Sequence, residues 1–360
     1  MASVHVIGAG PAGSVAAISA LHEGHNVEIS EEHLVPGLPT DCSGLISRDG
    51  LKSLSDMIDY RRHAIRPMHG AILDFAGHKL TVDAKKPVAY VIDRASFDSA
   101  LAKKAESEGA KLNCGERISS KFRGKCIIGA DGPNSSVARR FRFPKIKRFA
   151  ITARCTVRYD GENPDFIRAW LSNKISSGFF SWLIPHDEEM AEMGTGLVLP
   201  GNPRPSIQAL SRLTGFQPEG RIHFALIPLE CRKKTSLRAG GRTVLLAGDA
   251  AGQVKSTTGG GVYFGTSCAR LAGRHATNPE NYEKEWRSLY HRDLRMHRLA
   301  NLAYGMLPDS GIRHAGGLLS FFRMDEYLAR KQQMDKPSHI LDSSLLMHAV
   351  SAPFSRQKTI

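Results

Sequence analysis

Short apolar runs and alternating segments divide the chain into predicted elements. Val4-His5-Val6-Ile7 has the apolar bias of a buried strand and stops at Gly8-Ala9-Gly10-Pro11-Ala12-Gly13. The spacing then predicts a helix from Ser14 to Glu23, closed by Gly24, and a second strand from Val27 to Ser30. A further helix is expected over Ser96 to Gly109, and Ala71 to Ala76 with Lys79 to Val82 reads as a hairpin around Gly77-His78. Strand-like segments at 148–158, 166–171, 179–185, 192–199 and 221–227 predict a mostly antiparallel sheet. Apolar runs ahead of Gly129 and Gly248 predict two more buried strands, and Val262 to Arg274 a helix. Beyond residue 280 the pattern turns helical, no internal repeat is present, and the polar, basic last ten residues read as disordered.

The turn after the first strand carries the first chemistry. Gly8 permits a tight turn, Gly10 lets the backbone approach a pyrophosphate, and Gly13 lets the following helix pack close to the strand. Pro11 and Ala12 head that helix, whose free N–H groups and dipole favour an anion. Glu31 follows the second strand, 23 residues after Gly8, where a carboxylate can accept hydrogen bonds from ribose hydroxyls. A glycine triplet alone is often only a turn, but strand, helix and acid together make a dinucleotide fingerprint. His5, on the buried strand, reads as a packed core histidine.

Two later segments repeat this logic. Gly129-Ala130-Asp131-Gly132 follows a short apolar strand and leads into a Ser-rich helix start. Gly248-Asp249 stands at the carboxyl end of another buried run, where open α/β sheets bind ligands and an aspartate can accept from ribityl hydroxyls. Thr257-Thr258-Gly259-Gly260-Gly261 then opens a helix at Val262, whose N-terminus can face a flavin ring and stabilise negative charge at its pyrimidine end. Three such turns in this order identify the dinucleotide as FAD.

Composition narrows the class. With 360 residues and 41% hydrophobic content the chain can bury a sizeable core in two intimately packed domains. No apolar run approaches membrane-spanning length. A first strand beginning by residue 4 leaves no room for a signal peptide, so the expected location is cytoplasmic, with a peripheral position on a membrane left open. Six scattered cysteines without a C-x-x-C pair argue against zinc or an iron–sulfur cluster, and no metal is expected. The net charge of +14, densest in Arg139-Arg140-Phe141-Arg142-Phe143-Pro144-Lys145-Ile146-Lys147-Arg148, favours an acidic partner or anionic lipid, or is simply a solvated surface. No nucleic-acid-binding motif accompanies it.

These residues resemble the p-hydroxybenzoate hydroxylase-like FAD superfamily, through Gly8-x-Gly10-x-x-Gly13, Glu31, Asp93-Arg94-x-x-Phe97-Asp98, Gly129-Ala130-Asp131-Gly132 and Gly248-Asp249. Within it the chain is similar to the geranylgeranyl reductase family, which saturates isoprenoid chains. Gly37-Leu38-Pro39-Thr40-Asp41-Cys42-Ser43-Gly44-Leu45-Ile46-Ser47 looks like that family's cysteine loop, and Gly252-Gln253-Val254-Lys255-Ser256-Thr257-Thr258-Gly259-Gly260-Gly261 like its flavin loop. Ser177 to Pro185 stands where the family carries P-x-x-Y-x-W-x-F-P; Trp182 and Pro185 are kept, while Ser177, Phe180 and Ile184 replace Pro, Tyr and Phe.

The resemblance implies an α/β fold: a Rossmann-like FAD-binding domain (1–60, 90–147, 235–285) interleaved with a mostly antiparallel β-sheet substrate domain (61–89, 148–234), plus a helical C-terminal region (286–360). It implies a cofactor set of Gly8, Gly10, Pro11, Ala12, Gly13, Glu31, Cys42, Gly44, Arg94, Asp131, Gly132, Gly248, Asp249, Gly259, Gly260, Gly261 and Val262, and a substrate pocket of Phe180, Trp182 and Pro185. Cys42 becomes a candidate proton donor or substrate orienter. As residue types, Cys42 fits equally a small buried thiol, Trp182 a core aromatic and Arg94 a loop-fixing ion pair with Asp93 or Asp98. The implied activity is FAD-dependent reduction of prenyl double bonds in a lipid precursor, with NAD(P)H or reduced ferredoxin as electron donor. Two alternatives stay open: a flavin monooxygenase or halogenase, whose W-x-W-x-I-P pattern Phe180 to Pro185 partly matches, and a flavoprotein without substrate chemistry.

Overall fold

The computed structural model describes residues 1–40, 42–342, 344, 345, 347, 348 and 352. The first strand, Ser3–Ile7, is the centre of a six-stranded sheet ordered Ser236–Ala239, Arg242–Leu246, Cys126–Gly129, Ser3–Ile7, Asn26–Glu31, Lys111–Cys114. All pairings are parallel except the edge hairpin Ser236–Ala239/Arg242–Leu246. In register, Ile7 and Leu246 both lie beside Gly129, so three strands deliver their glycine turns to one edge of the sheet. Helix Pro11–His22 packs on helix Val262–Arg274 at very short range, a Cβ on Gly273 falling 2.3 Å from the Ala16 carbonyl oxygen. His5 is indeed core: Nδ1 accepts from the Arg123 N–H (2.9 Å), so Nε2 carries the proton toward Ser30 Oγ (2.9 Å), and burial lowers the ring's pKa to about 4.

The second layer is a seven-stranded sheet ordered Pro218–Pro228, Phe149–Arg158, Met190–Val198, Ser181–Pro185, Phe166–Leu171, Gly70–Phe75, His78–Asp83. Only the Phe166–Leu171/Gly70–Phe75 pairing is parallel. The hairpin turns at Ala76-Gly77, both with positive φ (49° and 96°), the geometry that suits the strands' twist. One face of this sheet is covered by the amphipathic helix Pro203–Thr214 through Leu183, Met193, Ile207 and Leu210. The other face carries Ala150, Phe179, Trp182 and Ile184 and packs on a small sheet of Leu45–Ser47, Ala89–Ile92 and Ala64–Met68.

That three-stranded sheet is a departure from the sequence reading, which left 45–47, 64–68 and 89–92 unassigned. Its strands are short, Ala64–Met68 is an edge strand holding Pro67, and its register slips between Ala64 and Arg66, so no clean alternation marks it. The C-terminal region is helical over Pro279–Met306, Asp309–Phe321 and Met324–Lys331. The tail expected to be disordered lies outside the described residues from 353 onward.

Candidate active site at the junction of two sheets

The glycines of the first turn divide by what surrounds them. A Cβ on Gly13 would lie 1.8 Å from the Gly8 oxygen, and one on Gly8 (φ +97°) 2.4 Å from the Ala130 oxygen, so both are required by the protein's own backbone. Gly10 meets nothing within 4 Å. It is the N-cap of Pro11–His22, with Pro11 pre-set for the helix's first position, so the helix N-terminus has open space beside it of the kind that suits an anion. A Cβ on Gly248 would fall 2.9 Å from Ala12 Cβ, and one on Gly261 3.1 Å from Asp249 Oδ1. The three turns and the Gly259–Gly261 loop therefore meet around one space.

The acids at this space are partly committed. Glu31 accepts from the Ala9 N–H at 2.7 Å with one oxygen and from the His33 N–H at 3.0 Å with the other, holding the glycine turn closed. Asp131 Oδ2 caps the next helix through Ser136 N (2.6 Å), Ser136 Oγ (2.8 Å) and Val137 N (3.1 Å), while its Oδ1 is buried without a protein partner. Gly132 beside it has open space and φ +72°. Desolvation pushes Asp249 up to about 6 despite the opposing charge of Arg94. A buried acceptor left over, a raised aspartate and a glycine with nothing in front of it are what hydroxyl- and phosphate-bearing FAD would satisfy.

Arg94 opens helix Arg94–Ser107 behind the N-cap Asp93. Its guanidinium makes a bidentate pair with Asp98 (2.9 and 2.8 Å), so the ion-pair alternative is realised with Asp98, with the Cys42 side chain close by. Burial works against the charge on Arg94, but Asp98 and Cys42 outweigh it and its pKa is raised. Gly44 (φ +76°) returns the cysteine loop to the small sheet, where a Cβ would lie 2.4 Å from the Ile92 oxygen. Asp41 of this loop lies outside the described residues.

Phe179, Phe180 and Trp182 form an aromatic row, with ring centroids 4.6 and 5.6 Å apart. Phe179 reaches the flavin loop: a Cβ on Gly259 would stand 3.4 Å from its Cζ. Pro185 ends the same strand, but strand alternation puts it with Leu183 on the opposite face, so Phe180 and Trp182 stand together without it.

Sequence reasoning passed over two ionic groups. Lys255 runs beneath Gly260 and pairs with Asp335 at 2.7 Å; Asp335 also accepts from Ser47 Oγ (2.6 Å), and its carbonyl from His297 Nε2 (3.0 Å). Glu192 and Arg154 lie beneath Trp182, paired at 2.8 Å. A lysine inside a glycine-rich motif and a glutamate inside an apolar strand were the available signals.

The converging turns and the sheet order give the fold of FAD-dependent oxidoreductases, a Rossmann-like nucleotide domain with a largely antiparallel sheet domain. No family model matches the chain. A digeranylgeranylglycerophospholipid reductase of Methanosarcina acetivorans is 27% identical over an alignment that covers 86% of each chain. A geranylgeranyl bacteriochlorophyll reductase-like protein of Thermoplasma acidophilum superposes with a TM-score of 0.77 at 18% identity, over 98% of this chain and 96% of that one. A flavin-dependent brominase shares the fold more distantly, with a TM-score of 0.68 at 15% identity over 99% of both chains. The resemblance to geranylgeranyl reductases carried by the motifs is thus met in sequence and in fold.

Proposed function

We propose that this protein saturates carbon–carbon double bonds of geranylgeranyl or other prenyl chains in isoprenoid lipid precursors. The observation that carries the reading is the aromatic row of Phe179, Phe180 and Trp182 set against the flavin loop, an apolar wall beside the space where the glycine turns meet. FAD, when bound and reduced, supplies the hydride. The chain's own residues then orient and shield: an isolated alkene has no carbonyl to polarise, so holding it against the reactive edge and excluding water supply much of the rate. Cys42 Sγ, in reach of Arg94, is the candidate proton source for the second alkene carbon. Gly10, Asp131 Oδ1 and Asp249 are the groups offered to the pyrophosphate and ribityl chain, with the Gly259–Gly261 loop and Val262 at the ring.

The net charge of +14 suits an acidic ferredoxin as electron donor, NAD(P)H being the other candidate, and also contact with an anionic membrane surface. Among the described residues no helix is long and apolar enough to cross a membrane. The halogenase reading is less well supported: halogenases need a free lysine near the substrate, and the buried Lys255 is spent on Asp335. Anaerobic incubation of the dithionite-reduced protein with a digeranylgeranyl lipid should add two hydrogens per bond saturated, read by mass spectrometry. A product that appears only with oxygen or halide would overturn the reductase reading, and Cys42→Ser with normal turnover would remove the thiol from it.

A further inference from the structure

Resting on the reductase reading for the roles of Trp182 and Cys42, we propose that Glu192 and Arg154 are positioning residues that fix the aromatic wall and the cysteine loop relative to each other. Strand Met190–Val198 places Glu192, Gly194 and Gly196 on one face, and Trp182 lies opposite Gly194 in register. A Cβ on Gly194 would be 2.2 Å from Trp182 Cζ2, so the indole lies directly across that glycine. Its Nε1 donates to Glu192 Oε1 at 3.0 Å, which sets the ring's rotation.

The other oxygen of Glu192 accepts from an Arg154 terminal nitrogen at 2.8 Å. Arg154, on the neighbouring strand and also in register with Gly194, uses its second terminal nitrogen to donate to the Thr40 carbonyl. Beyond that carbonyl the loop reaches Cys42, close to Arg94 on the nucleotide side, and ahead of it Gly37 packs tightly against Ala95 and Asp98 near the start of helix Arg94–Ser107. The loop is therefore packed on the nucleotide layer at Gly37 and gripped by Arg154 at Thr40, and the sheet-side grip is continuous with the indole. Glu192 is 4% exposed. Apolar side chains in place of both partners would cost little stability by the usual balance for buried ion pairs, so the pair's value lies in the geometry it imposes.

The test is peptide-resolved iodoacetamide labelling of the cysteines of the purified protein, which needs neither flavin nor substrate. Arg154→Gln should raise the labelling rate of Cys42 about tenfold, the effect of losing one charge-assisted hydrogen bond. Cys126 and Cys268, both buried in the nucleotide domain, should keep their wild-type rates. Arg154→Lys keeps the charge on Glu192 without spanning to Thr40 and should fall between the two. If Arg154→Gln exposes the buried cysteines through loss of the fold, Arg154→Lys decides. Cys42 rates within twofold of wild type with the fold intact overturn the assignment. In the reductase assay Glu192→Gln should raise KM for a prenyl lipid more than it lowers kcat; equal loss in both would assign Glu192 a merely structural role. A protein that fails to reduce prenyl lipids at all would sink the reductase reading and leave the labelling result standing.

Discussion

Gly10 and Gly13 stand in one motif and serve different masters. Gly13→Ala forces a methyl into the Gly8 carbonyl and should not fold well, whereas Gly10→Ala points its methyl into open space. Gly10→Ala should therefore change stability by less than about 1 kcal/mol, the scale of an N-cap change, yet purify with substoichiometric FAD, read by melting temperature and absorbance. Asp249 gives a pH test. Its folded pKa of about 6 is above the usual carboxylate value of 3.8, so the native state holds that proton more tightly and stability is lost as pH rises from 4 to 6. Asp249→Asn should remove that loss, becoming more stable than wild type by up to about 3 kcal/mol above pH 6, while binding flavin more weakly. Comparing variant with wild type isolates the effect from His5, whose buried neutral ring costs stability in the opposite direction, as pH falls from 6.5 toward 4. The glycines and aspartates of these turns were legible in sequence because their chemistry is local to a few residues. Glu192 was not, since its partners Trp182 and Arg154 are joined only by the sheet.

At the scale of elements, strands of the large sheet and the helix Val262–Arg274 followed directly from alternation and apolar runs. The small sheet escaped, for want of both length and alternation. The segment carrying Asp335 escaped as well, because nothing near it in sequence marks it as a partner of the flavin loop. Lys255 holds that loop with its backbone, through Gly260 O (3.2 Å) and Gly259 N (2.8 Å), and its side chain fastens the loop to Asp335. Burial lowers the pKa of His297; with its Nε2 donating to Asp335 O, the ring's Nδ1 accepts from Thr257 (2.7 Å) and anchors a second point of the loop. Removing one partner strands a buried charge: Lys255→Met should cost about 3 to 5 kcal/mol in chemical denaturation. The double variant Lys255→Met/Asp335→Leu should recover most of it; if the two single losses simply add, the pair is not the unit of stability.

Across the whole molecule, net charge and exposed apolar side chains together make a membrane-facing role testable. Met306, Leu318 and Phe321 are exposed on the C-terminal helices, in a chain whose net charge is +14. Binding to anionic vesicles, measured by cosedimentation, should weaken as salt rises and the Debye length falls to about 8 Å at physiological ionic strength. Leu318→Ser/Phe321→Ser should weaken it further at every salt concentration, and binding indifferent to both changes would speak against a membrane-facing role.

The nucleotide sheet is assembled from strands far apart in the chain: Ser3–Ile7 lies beside Cys126–Gly129, which lies beside Arg242–Leu246. Its contacts are of long sequence separation, the kind that form slowly. A nascent chain on the ribosome consequently has no complete cradle for its prosthetic group until helix Val262–Arg274 has emerged, and a fragment ending at residue 235 should come off the column colourless. Flavin loading would then report on the finished polypeptide, since a chain would turn yellow only after threading back through both sheets.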